Sequence, residues 1–426
     1  MDFDLPAELT AYLAELDDFI AREIAPLQAA DDNQRFFDHR REWARTDFEA
    51  GGLPRREWEA LLAEVRQRAD RAGHLRFALP REVGGQDGSH LWMAVIREHL
   101  AAKGLGLHND LQNEHSIVAN NPFVLMCRDF GSAAQRDEFV NGMLNESRCL
   151  AFGLTEPNHG SDATHMDTRA VRESRGDRPG WRIDGEKMWT TGMHVATHCM
   201  VFARTSGRAG DARGISAFLV PAEAEGVKIE EYLWTFNMPT DHPRVSFTRV
   251  WVDEPALFGP LDGGLAVAQH FVHENRIRQA ASSLGAADYC VRESVAYARE
   301  RKPFGEELAR NQAIQFPLVE LATQVEMLRL LIRKTAWQMD QMAKPEIEHR
   351  LSDKVSMCNY WANRLCCEAA DRAMQVHGGI GYSRHKPFEH IYRHHRRYRI
   401  TEGSEEIQMR KVAGHLFGYM GAKRQA

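Results

Sequence analysis

Apolar residues at Leu9, Leu13, Leu16, Phe19, Ile20 and Ile24 recur three or four positions apart, which lays them on one side of a helix and predicts an amphipathic helix over 6–27. A charged section, 31–54, follows and closes on Gly51 and Gly52; it reads as a loop or an exposed helix. Trp58, Leu61, Leu62 and Val65 restart the helical period, the Pro and glycines of 77–89 mark a turn, and helical spacing resumes over 91–103 and 118–144. Near Cys149 the pattern changes to short runs rich in Val, Phe, Thr and Trp: 150–157, 181–192, 199–205, 215–220 and 244–252, each bounded by Gly, Asp or Pro. Such runs, without helices between them, predict a small barrel or sandwich rather than a doubly wound parallel sheet. Helical spacing then returns over 263–300, 310–342 and 350–376. The expected architecture is α+β and multidomain: an N-terminal α-helical domain at 1–149, a middle β-domain at 150–259 and a C-terminal α-helical domain at 260–426.

Composition changes this picture little. A chain of 426 residues with 43% hydrophobic and 27% charged residues is an ordinary globular protein large enough for two or three domains. A formal net charge of -6 argues against a dedicated nucleic-acid binder, and no apolar run is long enough to cross a bilayer. The first residues are acidic and amphipathic, unlike a signal peptide, so a cytoplasmic location is expected. Seven cysteines without CxxC spacing suggest neither a disulfide framework nor a zinc site. His385, His390, His394 and His395 alternate with Lys and Arg, whose charge opposes a cation, and no metal site is expected.

Candidate chemistry is carried by four stretches. There is no GxGxxG after a strand, no GxxxxGK[ST], no GxSxG and no HExxH. LTEPNHGSD at 154–162 offers the hydroxyls of Thr155 and Ser161 and a close-approach glycine, Gly160, or else is an Asx-capped turn. Trp189 with Thr190 and Thr191 frames a flat aromatic ring or forms an ordinary strand. In YARERKPFG, 297–305, Arg301 can pair with a pyrophosphate or end a solvated helix. RITEGSEEIQ at 399–408 sets Glu402 on an irregular segment behind helical sequence, where catalytic bases are often found; Glu405 and Glu406 read as solvated surface groups.

LTEPNHGSD, GEKMWTTG, YARERKPFG with Gln312 downstream, QVHGGIGY and ITEGSEEIQ follow one another in the order and approximate spacing of the acyl-CoA dehydrogenase family, and the chain resembles that family from about residue 79 to 412. The resemblance implies an N-terminal helical domain, a middle β-domain and a C-terminal four-helix bundle, with FAD between the last two. It implies that Phe152, Leu154, Thr155, Gly160 and Ser161 line the isoalloxazine, with Trp189 and Thr191 on its other side. Arg301, Phe304, Gln312, Gln375 and Gly379 match positions that reach the FAD of a neighbouring subunit, which implies a homodimer or homotetramer. Ser404 and Glu406 match positions near the adenosine of FAD, while Arg276, Gly403 and Ser161 match positions beside the acyl-CoA substrate.

Glu402 falls on the family's catalytic base. The implied reaction is α,β-dehydrogenation of an acyl-CoA thioester to a trans-2-enoyl-CoA in fatty acid metabolism, with Glu402 taking the α-proton, flavin N5 the β-hydride, and an electron-transfer flavoprotein the electrons. An acyl-CoA oxidase and a non-catalytic flavoprotein on the same fold are the alternatives. The chain departs from the family at Thr401, commonly Tyr, at Asn158 and His159, commonly small residues, and at His394, commonly Asp. Some members carry the base on the helix around Arg276; here Asn275 precedes that arginine and the nearest carboxylate, Glu274, is one position out of register, so Glu402 is the expected base.

Overall fold

The computed structural model describes residues 4–109 and 116–419. It divides into two compact units, one of 1–45, 56–120 and 273–426, the other of 46–55 and 121–272.

Among the described residues, the strands lie in the second unit. A two-stranded hairpin pairs β1 (Thr46–Asp47) with β2 (Leu53–Pro54). The main sheet comprises β3 (Leu150–Gly153), β4 (Arg169–Arg172), β5 (Gly180–Lys187), β6 (His198–Arg204), β7 (Ile215–Pro221), β8 (Val227–Tyr232), β9 (Pro243–Asp253) and β10 (Leu257–Phe258). Its order is β10-β7-β6-β4-β5-β9-β8, and β3 pairs with β6 in parallel. The central strands β6 and β7 are buried along almost their whole length, which is why their sequences are unbroken apolar runs; β9 alternates buried and exposed positions over most of its length. Ile183, Val201, Phe218, Val220, Val245 and Phe247 fill the core of this unit. Strands β4 and β8, RAVR and VKIEEY, lie outside the expected runs because each buries too few apolar side chains to leave a period.

The section 31–54 is neither a plain loop nor an exposed helix. It forms two 3-10 turns, Asn33–Phe37 and Glu42–Ala44, and then the β1–β2 hairpin. Arg45 is buried with its guanidinium 4.3 Å from the Trp58 ring, and so charge here does not mean solvent. The hairpin packs on the segment before β9: Trp234 Nε1 donates to the Gly51 carbonyl (2.7 Å) and Thr240 N to that of Gly52 (2.8 Å). Gly52 has φ +87°, and a Cβ there would lie 2.5 Å from Met238 Cε, so only glycine fits.

The first unit is helical. Its N-terminal part packs the helices Ala7–Phe19, Arg56–Arg71 and His90–Ala101 through Leu9, Leu16, Trp58, Val65 and Ile96. Its C-terminal part comprises Gly264–Glu300 (from His273 onward), Gln312–Asp340, Ser352–His377, Phe388–Tyr398 and Glu405–Leu416, around Leu284, Val325, Ile332, Val355, Leu365 and Phe388. The three long helices start and end within two residues of the expected bounds, because a sustained 3.6-residue stripe is the strongest local signal. Among the described residues no helix is long and apolar enough to cross a membrane.

Candidate active site

Glu402 lies in the turn between the helices Phe388–Tyr398 and Glu405–Leu416 and adopts φ +57°, a left-handed conformation rare for a non-glycine residue. The turn is held from several sides. Arg276, buried on the helix Gly264–Glu300, donates to the Glu402 carbonyl from Nε (2.9 Å) and Nη2 (2.6 Å). Asn275 Nδ2 reaches Glu402 Oε1 at 3.5 Å. Gln408 Nε2 donates to the Gly403 carbonyl (2.8 Å), and Ser404 caps the last helix by accepting from the Ile407 amide. Gly403 has φ +88°, and a Cβ on it would come within 2.7 Å of Arg276 Nη2. The close hold of Arg276 on this turn therefore requires glycine at 403. The side chain of Glu274 lies outside the described residues.

Glu405 is not a solvated surface group. It is buried and accepts from Arg364 Nε (2.9 Å) and from Arg399 Nε and Nη2 (3.0 Å each), which hold its carboxyl down at about 2. Glu406 beside it is exposed, as expected of a surface carboxylate. His390, His394 and His395 are likewise buried inside the unit rather than forming a surface tract, and burial lowers all three, His395 to about 3. His394 Nε2 lies 3.0 Å from the Tyr398 hydroxyl.

In the strand unit, the two motif loops are tied by a pair the motifs contain but no sequence argument singled out. Lys187, at the end of β5, is fully buried and donates to Glu156 Oε1 (2.8 Å) and to the Leu154 carbonyl (3.2 Å). Glu156 also accepts from the amides of Asp167 (2.5 Å) and Thr168 (2.9 Å). Burial alone would raise the Glu156 carboxyl; Lys187 and these hydrogen bonds outweigh it and leave the group below its usual range. The Met188 amide donates to the Thr155 carbonyl (2.9 Å), adding a backbone link between the same loops.

Around that pair, Phe152 stacks on Phe271 with centroids 4.7 Å apart, Leu154 and Thr155 are half-buried, and Gly160, Ser161, Trp189 and Thr191 are exposed. Trp189 has φ +61°, and the Thr191 hydroxyl lies 2.9 Å from His242 Nδ1. His159, one of the departures, sits between Asp162 (3.0 Å) and Asp167 (3.3 Å), and its hydrogen bond to Asp162 raises it. In the helical unit Arg301, Phe304, Gln312, Gln375 and Gly379 are all exposed, Phe304 completely and with φ +57°. In the strand unit, the exposed Ser161 and Thr191 hydroxyls and the exposed Trp189 ring are groups that suit a flat, polar ring system. A Cβ added at Gly160, Gly192, Gly305, Gly378 or Gly379 would meet no atom within 4 Å, so the backbone at each of these glycines is open to close approach. Exposed aromatic rings, Trp189 in one unit and Phe304 in the other, stand beside those glycines in sequence.

The chain thus runs from a helical N-terminal part through a middle β-sheet to a C-terminal helical array. Three family models match the chain: the acyl-CoA dehydrogenase N-terminal domain at 31–147, the middle domain at 151–250 and the C-terminal domain at 262–417. The chain belongs to the acyl-CoA dehydrogenase family and is an oxidoreductase; FAD is the family's cofactor. It is 31% identical over 356 residues to the 3-(aryl)acrylate reductase of Clostridium sporogenes, covering 83% of this chain and 90% of that one. It is 29% identical to the CarC subunit of the caffeyl-CoA reductase-Etf complex of Acetobacterium woodii, covering 83% and 89%. The crystal structure of an acyl-CoA dehydrogenase from Geobacillus kaustophilus shares the fold with a TM-score of 0.76 at 22% identity, over 98% of this chain and all of that one.

Proposed function

We propose that the protein dehydrogenates an acyl-CoA thioester between its α and β carbons, with Glu402 as the base. The observation that carries this is the Glu402 turn: a carboxylate in a left-handed turn whose own carbonyl is held by two hydrogen bonds from a buried arginine. A carboxylate whose backbone is held in this way is presented from one position, which suits removal of a weakly acidic α-proton. Glu402 takes the α-proton, and the electron pair left on the α-carbon forms the new double bond as the β-hydrogen departs with its electrons. FAD, when bound, would supply the acceptor for that hydride. The Glu402 backbone amide serves as a donor to the thioester oxygen where negative charge develops, an arrangement worth about 3 kcal/mol per donor.

Phe152, Leu154, Thr155, Gly160, Ser161, Trp189 and Thr191 would hold the isoalloxazine, Ser404 and Glu406 the adenosine side, and Arg276, Gly403 and Ser161 the substrate. Arg301, Phe304, Gln312, Gln375 and Gly379 would face the FAD of a second subunit in a homodimer or homotetramer; their exposure supports that role. The division 1–149, 150–259 and 260–426, a cytoplasmic setting, a role in fatty acid metabolism and an electron-transfer flavoprotein as acceptor complete the proposal. The name of the Acetobacterium relative, a subunit of an Etf complex, supports the last of these.

The names of two relatives, both reductases, favour a second reading in which the same residues work in reverse and Glu402 delivers a proton to the α-carbon of a 2-enoyl thioester. Adding a panel of acyl-CoAs to the yellow protein without oxygen tests the first reading by bleaching of the flavin; adding 2-enoyl-CoAs to the reduced protein tests the second by return of colour. Rapid recolouring by oxygen alone would mark an oxidase, and no colour change with any thioester in either direction would overturn both readings in favour of a non-catalytic flavoprotein.

A further inference from the structure

The helix Ser352–His377 buries an apolar face, Val355, Cys358, Ala362, Leu365 and Ala369 among others, and two asparagines one turn apart interrupt it. Asn359 and Asn363 are both fully buried. An amide in such a place costs stability unless its donors and acceptor are satisfied, and here each makes specific bonds. Asn359 Nδ2 donates to the Arg276 carbonyl (2.9 Å) and to Gln279 Oε1 (3.3 Å), and its Oδ1 accepts from Asn363 Nδ2 (3.2 Å). Asn363 Nδ2 also donates to the Tyr398 carbonyl (3.1 Å), and its Oδ1 accepts from Ser283 Oγ (2.6 Å), which in turn lies 2.8 Å from His395 Nδ1.

Each of the two backbone carbonyls held by this pair belongs to a residue linked to the Glu402 turn. One belongs to Arg276, whose guanidinium holds the Glu402 carbonyl; the other belongs to Tyr398, the last residue of the helix that runs into the turn. From Tyr398 the chain is pinned onward by Ile400 N and Thr401 N to the Arg397 carbonyl (2.8 and 2.9 Å) and by Glu405 N to that of Arg399 (3.0 Å). One helix is thus linked, through two amides, to the residue that holds the Glu402 carbonyl and to the end of the helix that precedes Glu402. Packing alone would be served as well by Leu at either position, which would need no partners.

We propose that Asn359 and Asn363 are positioning residues for Glu402. They act by fixing the Arg276 backbone and the end of the helix Phe388–Tyr398, and so keep residue 402 in its left-handed conformation with its carboxylate aimed. The inference rests on Glu402 being the base. Misplacement of a reacting group by about 1 Å costs on the order of 10²-fold in rate, which sets the scale of the effect.

The test uses FAD-loaded wild type, Asn363→Leu, which keeps the number and branching of the side-chain heavy atoms and drops the bonds, and Asn359→Asp, which is isosteric, still accepts from Asn363 and loses both donors. Two measurements are made: steady-state turnover with the thioester that bleaches the wild type, and amide hydrogen exchange of peptides covering 399–408. At least one variant is expected to show kcat lowered tenfold to a hundredfold with KM within twofold and full FAD content, together with exchange at least tenfold faster over 399–408 and unchanged over 312–340. Unchanged exchange over 399–408 in both variants, or a loss confined to KM or to FAD content, would overturn the proposal while leaving the role of Glu402 intact. If the wild type bleaches with no thioester, the reading of Glu402 as base falls and this proposal with it, and the exchange data then separate a turn still held by the asparagines from one that is not.

Discussion

Replacing Lys187 by Met tests whether the buried pair with Glu156 organises the two loops that it joins. Lys187 is fully buried, and its ammonium satisfies both the Glu156 carboxylate and the Leu154 carbonyl. Removing one member of a buried pair typically costs about 3–5 kcal/mol, because the other charge stays desolvated. Glu156 would keep its bonds to the Asp167 and Thr168 amides, which places the expected cost near the lower end, about 3 kcal/mol. Adding Glu156→Gln removes the stranded charge while preserving an acceptor for one amide, so the double variant should recover at least about 1.5 kcal/mol of that loss. The assay is guanidinium unfolding near pH 7, as a full double-mutant cycle, with FAD retention measured alongside. Because the pair joins the segment holding Thr155 to the one leading to Trp189 and Thr191, Lys187→Met should also weaken FAD binding about tenfold, the equivalent of about 1.4 kcal/mol. A single-variant cost under about 1 kcal/mol, or a double variant no better than the single one, would refute the reasoning.

Glu402→Gln should keep the protein yellow and slow anaerobic bleaching by roughly 10²–10⁴-fold, the range for a general base, measured by stopped-flow absorbance; bleaching at the wild-type rate would exclude Glu402 as base. Glu405 is held at about 2 by Arg399 and Arg364, below its unfolded value near 4.5. A depressed carboxyl stabilises the fold above its unfolded value and loses that contribution as pH falls through its folded one, so Glu405 and its two arginines should supply about 3 kcal/mol that fades between pH 4.5 and 2. Glu405→Gln should flatten that limb of the stability curve, read as melting temperature against pH. Gly285→Ala sets propensity against packing: alanine gains about 1 kcal/mol in a helix, but its Cβ would lie 2.3 Å from the Glu98 carbonyl. Net destabilisation of about 1–3 kcal/mol is expected by thermal melting, and a stabilised variant would show that these helices separate freely.

The sequence by itself determined the order of helices, strands and helices, the bounds of the three long helices, and a carboxylate in an irregular turn at 402, since each of these is written in a local period or its interruption. Even the five motifs are local signatures, and together they specify the family whose models span 31–417. Only the tertiary structure decided which polar residues are inside. Glu405 looks like its exposed neighbour Glu406 until Arg364, 41 positions away, is brought against it. Arg276 reaches the Glu402 carbonyl across 126 positions, and the hairpin within 46–55 joins the strand unit rather than the helices on either side of it in sequence. The partners of Asn359 and Asn363, the carbonyls of Arg276 and Tyr398, lie 83 and 35 positions away and leave no local signature. Periodicity reports the face a residue presents; whether a charge or an amide on that face can be buried depends on donors and acceptors that only the folded chain supplies.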